Sequence, residues 1–197
     1  TGSDAENATL TYAISGGADA AKFAINPSSG ALTFVTAPNF EAPTDNGSNN
    51  SYFVTVTASD GVNAPVNKTV VVSVTNVDDV APTITSGATA AAIAENSGAG
   101  QVIYTVTSTD TTDYVTGSTT YSLKSVNDFS SFSINSSTGA VTLTGNPDHE
   151  TKPSYSFTVI ATDAAGNHNE QAVSLTINNV NEAPTISAQS FGINSAS

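Results

Sequence analysis

The sequence predicts an all-β protein built as two tandem Greek-key β-sandwich domains, and three observations carry that prediction. Apolar residues alternate with polar ones in short runs, turn-forming clusters separate the runs, and one unit of about 100 residues is written twice. No segment keeps helical spacing of its apolar residues over three turns.

The repeat sets the frame. "FAINPSSGALTF" at 23–34 aligns with "FSINSSTGAVTL" at 132–143, and Tyr12 with Tyr121, at a shift of 109. "SYFVTVTASDG" at 51–61 aligns with "SYSFTVIATDA" at 154–164 at a shift of 103, so the first copy carries about six extra residues near "TDNGSNN", which reads as a loop insertion. "VVVSVTNVDDVAPTI" at 70–84 matches "VSLTINNVNEAPTIS" at 173–187 with one residue fewer before the proline. The predicted division is therefore 1–80, 81–182, and 183–197 as the opening of a third repeat. Residues 81–110 lead the second copy without an equivalent in the first, so the first repeat is expected to lack its first strand, and the chain reads as a piece of something longer.

Each strand follows from period-two burial. Leu10, Tyr12 and Ile14 open the first repeat; Tyr52, Val54, Val56 and Ala58 form its long central strand; Val70, Val72 and Val74 close it. In the second repeat the runs are Val102, Tyr104 and Val106, then Val141 and Leu143, then Tyr155, Phe157, Val159 and Ala161, then Val173, Leu175 and Ile177. "NPSSG" and "NSSTG" are tight turns, because Asn and Ser bond their own backbone and Gly accepts positive φ. Short strands punctuated this regularly pack as sandwiches of about seven strands.

Composition narrows the partners. Four Lys and no Arg stand against 17 Asp and Glu, a net charge of -13. Nucleic acid is excluded as a partner, since phosphate binding needs a basic footprint. Such self-repulsion destabilises the compact state unless cations gather near the carboxylates, which makes a divalent metal the natural ligand. Without cysteine there is no disulfide framework and no thiolate zinc site. No apolar run reaches the roughly 20 residues of a membrane span.

Most acids fall at strand ends and linkers. They are Asp4, Glu6, Glu41 in "NFE", Asp60 in "ASD" and "NVDD" at 76–79 in the first repeat; the second has Glu95 in "AEN", Asp110, Asp113, Asp148 and Glu150 in "DHE", Asp163 in "ATD" and "NVNE" at 179–182. Hard cations such as calcium take six to eight oxygens, which several converging loops can supply. In these residues the chain resembles a pair of cadherin repeats, of the kind found in long bacterial surface adhesins. The resemblance covers nearly the whole chain and implies a cadherin/Ig-like sandwich, secretion to the cell surface, and calcium held between successive repeats. By position, Glu95 matches the family's "PEN" Glu, Asp148 and Glu150 its "DRE" acids, Asn76, Asp78, Asp79 and Pro82 its "DxNDNAP" linker, and Asp110 and Asp163 its "DxD" and "AxD" acids. The implied junction between the two repeats uses Glu41, Asn76, Asp78, Asp79 and the Val80 carbonyl, met by Asp110, Asp113 and Asp163. Glu95, Asp148, Glu150, Asn181 and Glu182 are implied as half a site facing a following repeat, and Asp4, Glu6 and Asp60 as half a site facing a preceding one. Asn76 and Asn39 replace acids of the family pattern, and Thr112 replaces the second "DxD" acid with Asp113 beside it, which implies fewer or weaker ions.

No enzyme is expected. "HETKP" at 149–153 is not the HExxH zinc motif, and His149 and His168 both read as loop residues. No GxSxG elbow is present. The expected function is a calcium-rigidified extracellular spacer or adhesion module of a bacterial surface adhesin, acting in biofilm-type attachment, with neighbouring repeats as its partners. The alternative is a module that binds a peptide or glycan with calcium. A homophilic contact by strand exchange is a third reading, drawn from the missing strand.

Overall fold

A computed structural model of the chain describes residues 2, 8–110, 117–184 and 186. It divides into two compact units, Thr1–Val77 and Asp78–Ser197.

In the first unit the strands are β1 (Thr11–Gly16), β2 (Phe23–Ile25), β3 (Leu32–Phe34), β4 (Ser51–Ser59) and β5 (Val66–Ser73). They form an antiparallel sheet β1-β4-β5 and a separate hairpin β2-β3. Alternation places Tyr52 and Val54 inward on β4, where they pack with Phe23, Phe34, Leu32, Val70 and Val72. Phe34 meets Phe23 at 4.5 Å and stands edge-on to Tyr52 at 5.1 Å. The turn between β2 and β3 follows its residues: Asn26 Oδ1 accepts the N–H groups of Ser28 and Ser29 at 3.0 and 2.9 Å, and Gly30 takes φ +68°.

The second unit repeats this plan and adds to it. Its strands are β6 (Thr83–Ile84), β7 (Ile93–Ala94), β8 (Gln101–Thr105), β9 (Ser108–Thr109), β10 (Thr120–Leu123), β11 (Phe132–Ile134), β12 (Ala140–Leu143), β13 (Ser154–Thr162) and β14 (His168–Asn178). One sheet runs β10-β13-β14-β7, another β11-β12-β8, and β6 pairs with β9. A single core joins the two larger sheets: Phe157, Val159, Val173, Leu175 and Ile177 come from one, Ile103, Tyr104, Phe132, Val141 and Leu143 from the other. That shared interior is what defines a sandwich. β7 pairs with β14 in parallel, while β13 and β14 form a nine-pair antiparallel ladder from Ser154–Thr176 to Thr162–His168.

Among the described residues of the first unit no strand corresponds to β6, β7, β8 or β9. The expected third repeat at 183–197 falls almost entirely outside the described residues, and the two compact units meet at Val77 and Asp78, a few residues before the expected boundary.

Candidate metal centres

Two carboxylate clusters form within the second unit. In the first, ligand oxygens of Asp78, Asp110 and Asp163 all lie within 4.8 Å of one another. The chain reaches this point from three elements: Asp78 opens the unit, Asp110 follows β9, and Asp163 follows β13. Asp163 is buried and ties the cluster together. Its Oδ1 accepts the N–H groups of Gly166 and Asn167 at 2.7 and 2.8 Å, and its Oδ2 accepts Asn167 Nδ2 at 2.9 Å. The same Asn167 amide donates to the Asp78 carbonyl at 3.0 Å. Burial alone would raise the Asp163 carboxyl, but the bonds from Asn167, Gly166 and Ala165 outweigh it and hold the group below its ordinary value.

The second cluster is Glu95, Asp148 and Glu150, again with ligand oxygens within 4.8 Å. Glu95 is 2% exposed and accepts the N–H groups of Val180 at 2.6 Å and His149 at 2.8 Å, which hold its carboxyl low. Glu150 shifts the other way: burial comes first, then its bond to Glu95, then repulsion from Glu182 and Glu95, and together they raise it. Asp148 is held low by the N–H and hydroxyl of Thr151. Glu182 stands at the margin, accepting Asn96 Nδ2 at 2.7 Å.

Of the residues the sequence singles out, these two groups bring together six, with Glu182 beside the second. Asp79 is exposed next to Asp78. Glu41 and Asn76 belong to the first unit, where Glu41 is exposed and Asn76 half-buried. Asp60 closes its own loop, accepting the N–H groups of Val62 and Asn63 and the Asn63 amide, which lower its pKa to about 2. Asp4, Glu6 and Asp113 lie outside the described residues. Asn181 is exposed, and it is Asn179 that donates to Glu150 Oε1 at 2.7 Å. His149 lies in the loop expected of it, with Nδ1 at 3.2 Å from the Asn179 amide.

Sequence reading missed three supporting residues. Asn167, four residues after Asp163 and one after a glycine, is recognisable in retrospect as an Asx-type loop closer. Asp19 and Asp45 are buried acids that do structural work: Asp19 accepts the N–H groups of Asn46 at 2.6 Å and Phe53 at 2.7 Å, and Asp45 those of Asn49 and Asn50, each at 3.0 Å.

As donor sets, both clusters suit a hard dication. Each offers only oxygens, brings like charges into mutual repulsion, and has neighbouring amides that fix carboxylate orientation. Neither contains the sulfur or converging imidazoles of a zinc or copper site.

The cadherin domain family matches residues 89–178, and the chain carries a cadherin-like repeat there. It is 30% identical over 192 residues to human protocadherin Fat 1, covering 95% of this chain and 4% of that protein. Human cadherin-23 is 31% identical over 160 residues, 81% of this chain and 4% of that protein. The first two repeats of human protocadherin-24 superimpose with a TM-score of 0.55 at 24% identity, covering 90% of this chain and 85% of that one. The chain thus spans a small fraction of the curated relatives it matches, and the shared feature is the tandem β-sandwich fold. The chain carries a cadherin-like repeat within a β-sandwich fold shared with these proteins. No helix among the described residues is long and apolar enough to cross a membrane.

Proposed function

We propose that this chain is a calcium-rigidified spacer within a longer extracellular adhesion protein, with neighbouring repeats as its partners and calcium bound where one repeat's sequence passes to the next. The observation that supports it most is the Asp78, Asp110 and Asp163 cluster, in which a linker acid converges with acids following β9 and β13. Adjacent carboxylates repel, and a divalent ion converts that repulsion into attraction toward a shared centre. In this reading Asp78, Asp110 and Asp163 hold one ion, Asp79 and Asp113 add ligands, and Glu41 and Asn76 contribute from the first repeat. Glu95, Asp148, Glu150, Asn181 and Glu182 hold calcium toward a following repeat, and Asp4, Glu6 and Asp60 toward a preceding one. The relatives named above are human proteins; the bacterial surface setting rests on the sequence resemblance alone.

The test is a thermal melt of the whole chain in chelator and in millimolar calcium, with hydrogen exchange followed at residues 76–82. Extracellular calcium sites have dissociation constants of roughly 0.1–1 mM, so several-fold excess gives a clear rise in melting temperature. Exchange at 76–82 slows in calcium. Identical melts and identical exchange in both buffers would dispose of the metal reading.

A further inference from the structure

The inserted loop of the first repeat braces its unit through two buried acids. Asp19, 3% exposed, accepts the N–H of Asn46 at 2.6 Å and that of Phe53 at 2.7 Å. Its own N–H donates to the Phe53 carbonyl at 2.9 Å, which places this brace on the edge of β4 that faces β1. Asp45, 6% exposed, accepts the N–H groups of Asn49 and Asn50, each at 3.0 Å, while Ser48 and Asn50 coil into positive φ of 51° and 62°. Between these anchors stands Asn46-Gly47, the single Asn-Gly pair of the sequence, with both residues exposed and Gly47 at φ +128°. Asn46 joins the brace through its main-chain N–H, and among the described residues no group holds its side-chain amide.

An asparagine amide left free before glycine is open to attack by the next main-chain nitrogen, because glycine has no Cβ to crowd that nitrogen. We propose that Asn46 is a site of spontaneous deamidation, and that the reaction ages the first unit by loosening this loop from Asp19. The Gly47 nitrogen loses its proton to solvent base and bonds to Asn46 Cγ; the Cγ–Nδ2 bond breaks, and Nδ2 takes a proton from solvent and leaves as ammonia. Water then opens the five-membered succinimide. Opening at Cγ gives aspartate, and opening at the Asn46 main-chain carbonyl gives isoaspartate, with the chain rerouted through Cβ and Cγ. Either product disturbs the brace. A new carboxylate arises beside Asp45 in a loop bonded to Asp19, and like charges there repel. Isoaspartate also lengthens the main chain between the N–H held by Asp19 and the two held by Asp45, so the anchors cannot keep their present spacing.

The chain carries its own control in Asp60-Gly61, the single Asp-Gly pair, where the same ring closure would expel water. Asp60 is fastened: Oδ1 accepts the N–H groups of Val62 and Asn63 at 2.9 and 2.8 Å, and Oδ2 accepts Asn63 Nδ2 at 2.6 Å. A carboxylate so held stays ionised and is a poor target for the Gly61 nitrogen.

Trypsin cuts after Lys22 and Lys68, so one peptide of residues 23–68 reports both sites. The full chain is stored warm in mildly alkaline buffer with chelator, so that calcium sites do not contribute, beside a sample unfolded in denaturant. Peptide mass mapping and labelling by isoaspartyl methyltransferase should show Asn46 converting with time and Asp60 unchanged, with the aged protein melting several degrees below the fresh one. Asn46→Gln keeps the main-chain N–H but closes a larger ring far more slowly; it should gain no label at this position and hold its melting temperature through the same storage. An Asn46 that stays intact in the folded chain while it converts in the unfolded sample overturns the proposal, because the loop then shields the amide. Complete conversion with an unchanged melt also overturns it, since the brace would then be indifferent to residue 46.

Discussion

At the scale of single residues, the carboxylates sort into two kinds by what their oxygens face. Asp19, Asp45 and Asp60 turn theirs toward backbone N–H groups, Asp45 and Asp60 within their own loops and Asp19 toward the distant Asn46 and Phe53, and act as internal struts. Glu150 instead shares its surroundings with Glu95 and Glu182, so its charge is a liability in the metal-free protein. Glu150→Gln should therefore raise the melting temperature in chelator at neutral pH and reduce the gain on adding calcium. An equal shift in both buffers would show that Glu150 does not meet the ion. Asp128 gives a different test. It accepts the Ser156 N–H at 2.8 Å and is paired with Lys152, whose side-chain bond is the main reason its carboxyl lies below the ordinary value. A folded-state pKa depressed below the unfolded one stabilises above the unfolded value and is lost as pH falls through the folded one. The melting difference between wild type and Asp128→Asn should thus be full at pH 6 and shrink below about pH 4, the ordinary aspartate range.

Elements show how far the sequence could be read. The alternation of β4 and β13 and the Asn-Gly turns were legible because both are local: period two decides which side chains go inward, and an Asx bond spans two or three residues. The roles of Asp19 and Asn167 were not legible. Asp19 bonds Phe53, 34 residues away, and Asn167 bonds Asp78 across 89. Partners that distant are set by the fold and leave no periodic trace. Oxygens of Asp78, Asp110 and Asp163 do lie within 4.8 Å of one another, a grouping that neither period nor spacing shows, because a linker acid and two acids following strands meet only once the chain is folded. The inserted loop of the first repeat also gains a meaning from structure. Asn46 in that loop bonds Asp19, whereas the second repeat has no insertion and satisfies the equivalent Asp128 with Lys152. The paired turns allow a graded prediction. At Gly139, φ is +71° and an added Cβ would lie 2.5 Å from the Val106 carbonyl oxygen, which β12 cannot displace without breaking its pairing with β8. Gly139→Ala should cost about 1–3 kcal/mol and visibly lower the melt of the second unit. At Gly30 the nearest atoms belong to the Tyr12 ring at 3.1 Å, a side chain able to shift, so Gly30→Ala should cost less. The reverse ranking would show that the turn's φ alone, and not the close approach, decides the cost.

Across the whole molecule, the parallel pairing of β7 with β14 bears on how a spacer carries load. Thr89 bridges Ser174 in parallel, Ala90 N–H donates to the Ser174 carbonyl at 2.8 Å, Ser174 N–H to that of Ala88 at 3.0 Å, and Glu95 N–H to that of Asn178 at 3.0 Å. A tether drawn taut from the two ends of the second unit pulls these strands past each other along their length, so these bonds resist together in shear and do not open one after another like a zip. Rupture under such a pull is governed by the unfolding rate, which makes this short ladder a mechanical clamp. Stretching a single molecule should give a rupture force for the second unit that drops when Ala90 is replaced by proline, which deletes one of the clamp's donors. An unchanged force would place the resistance elsewhere in the sandwich. The Glu95 carboxylate stands at the far end of the same ladder, so an ion bound there would set the tension at which the clamp slips.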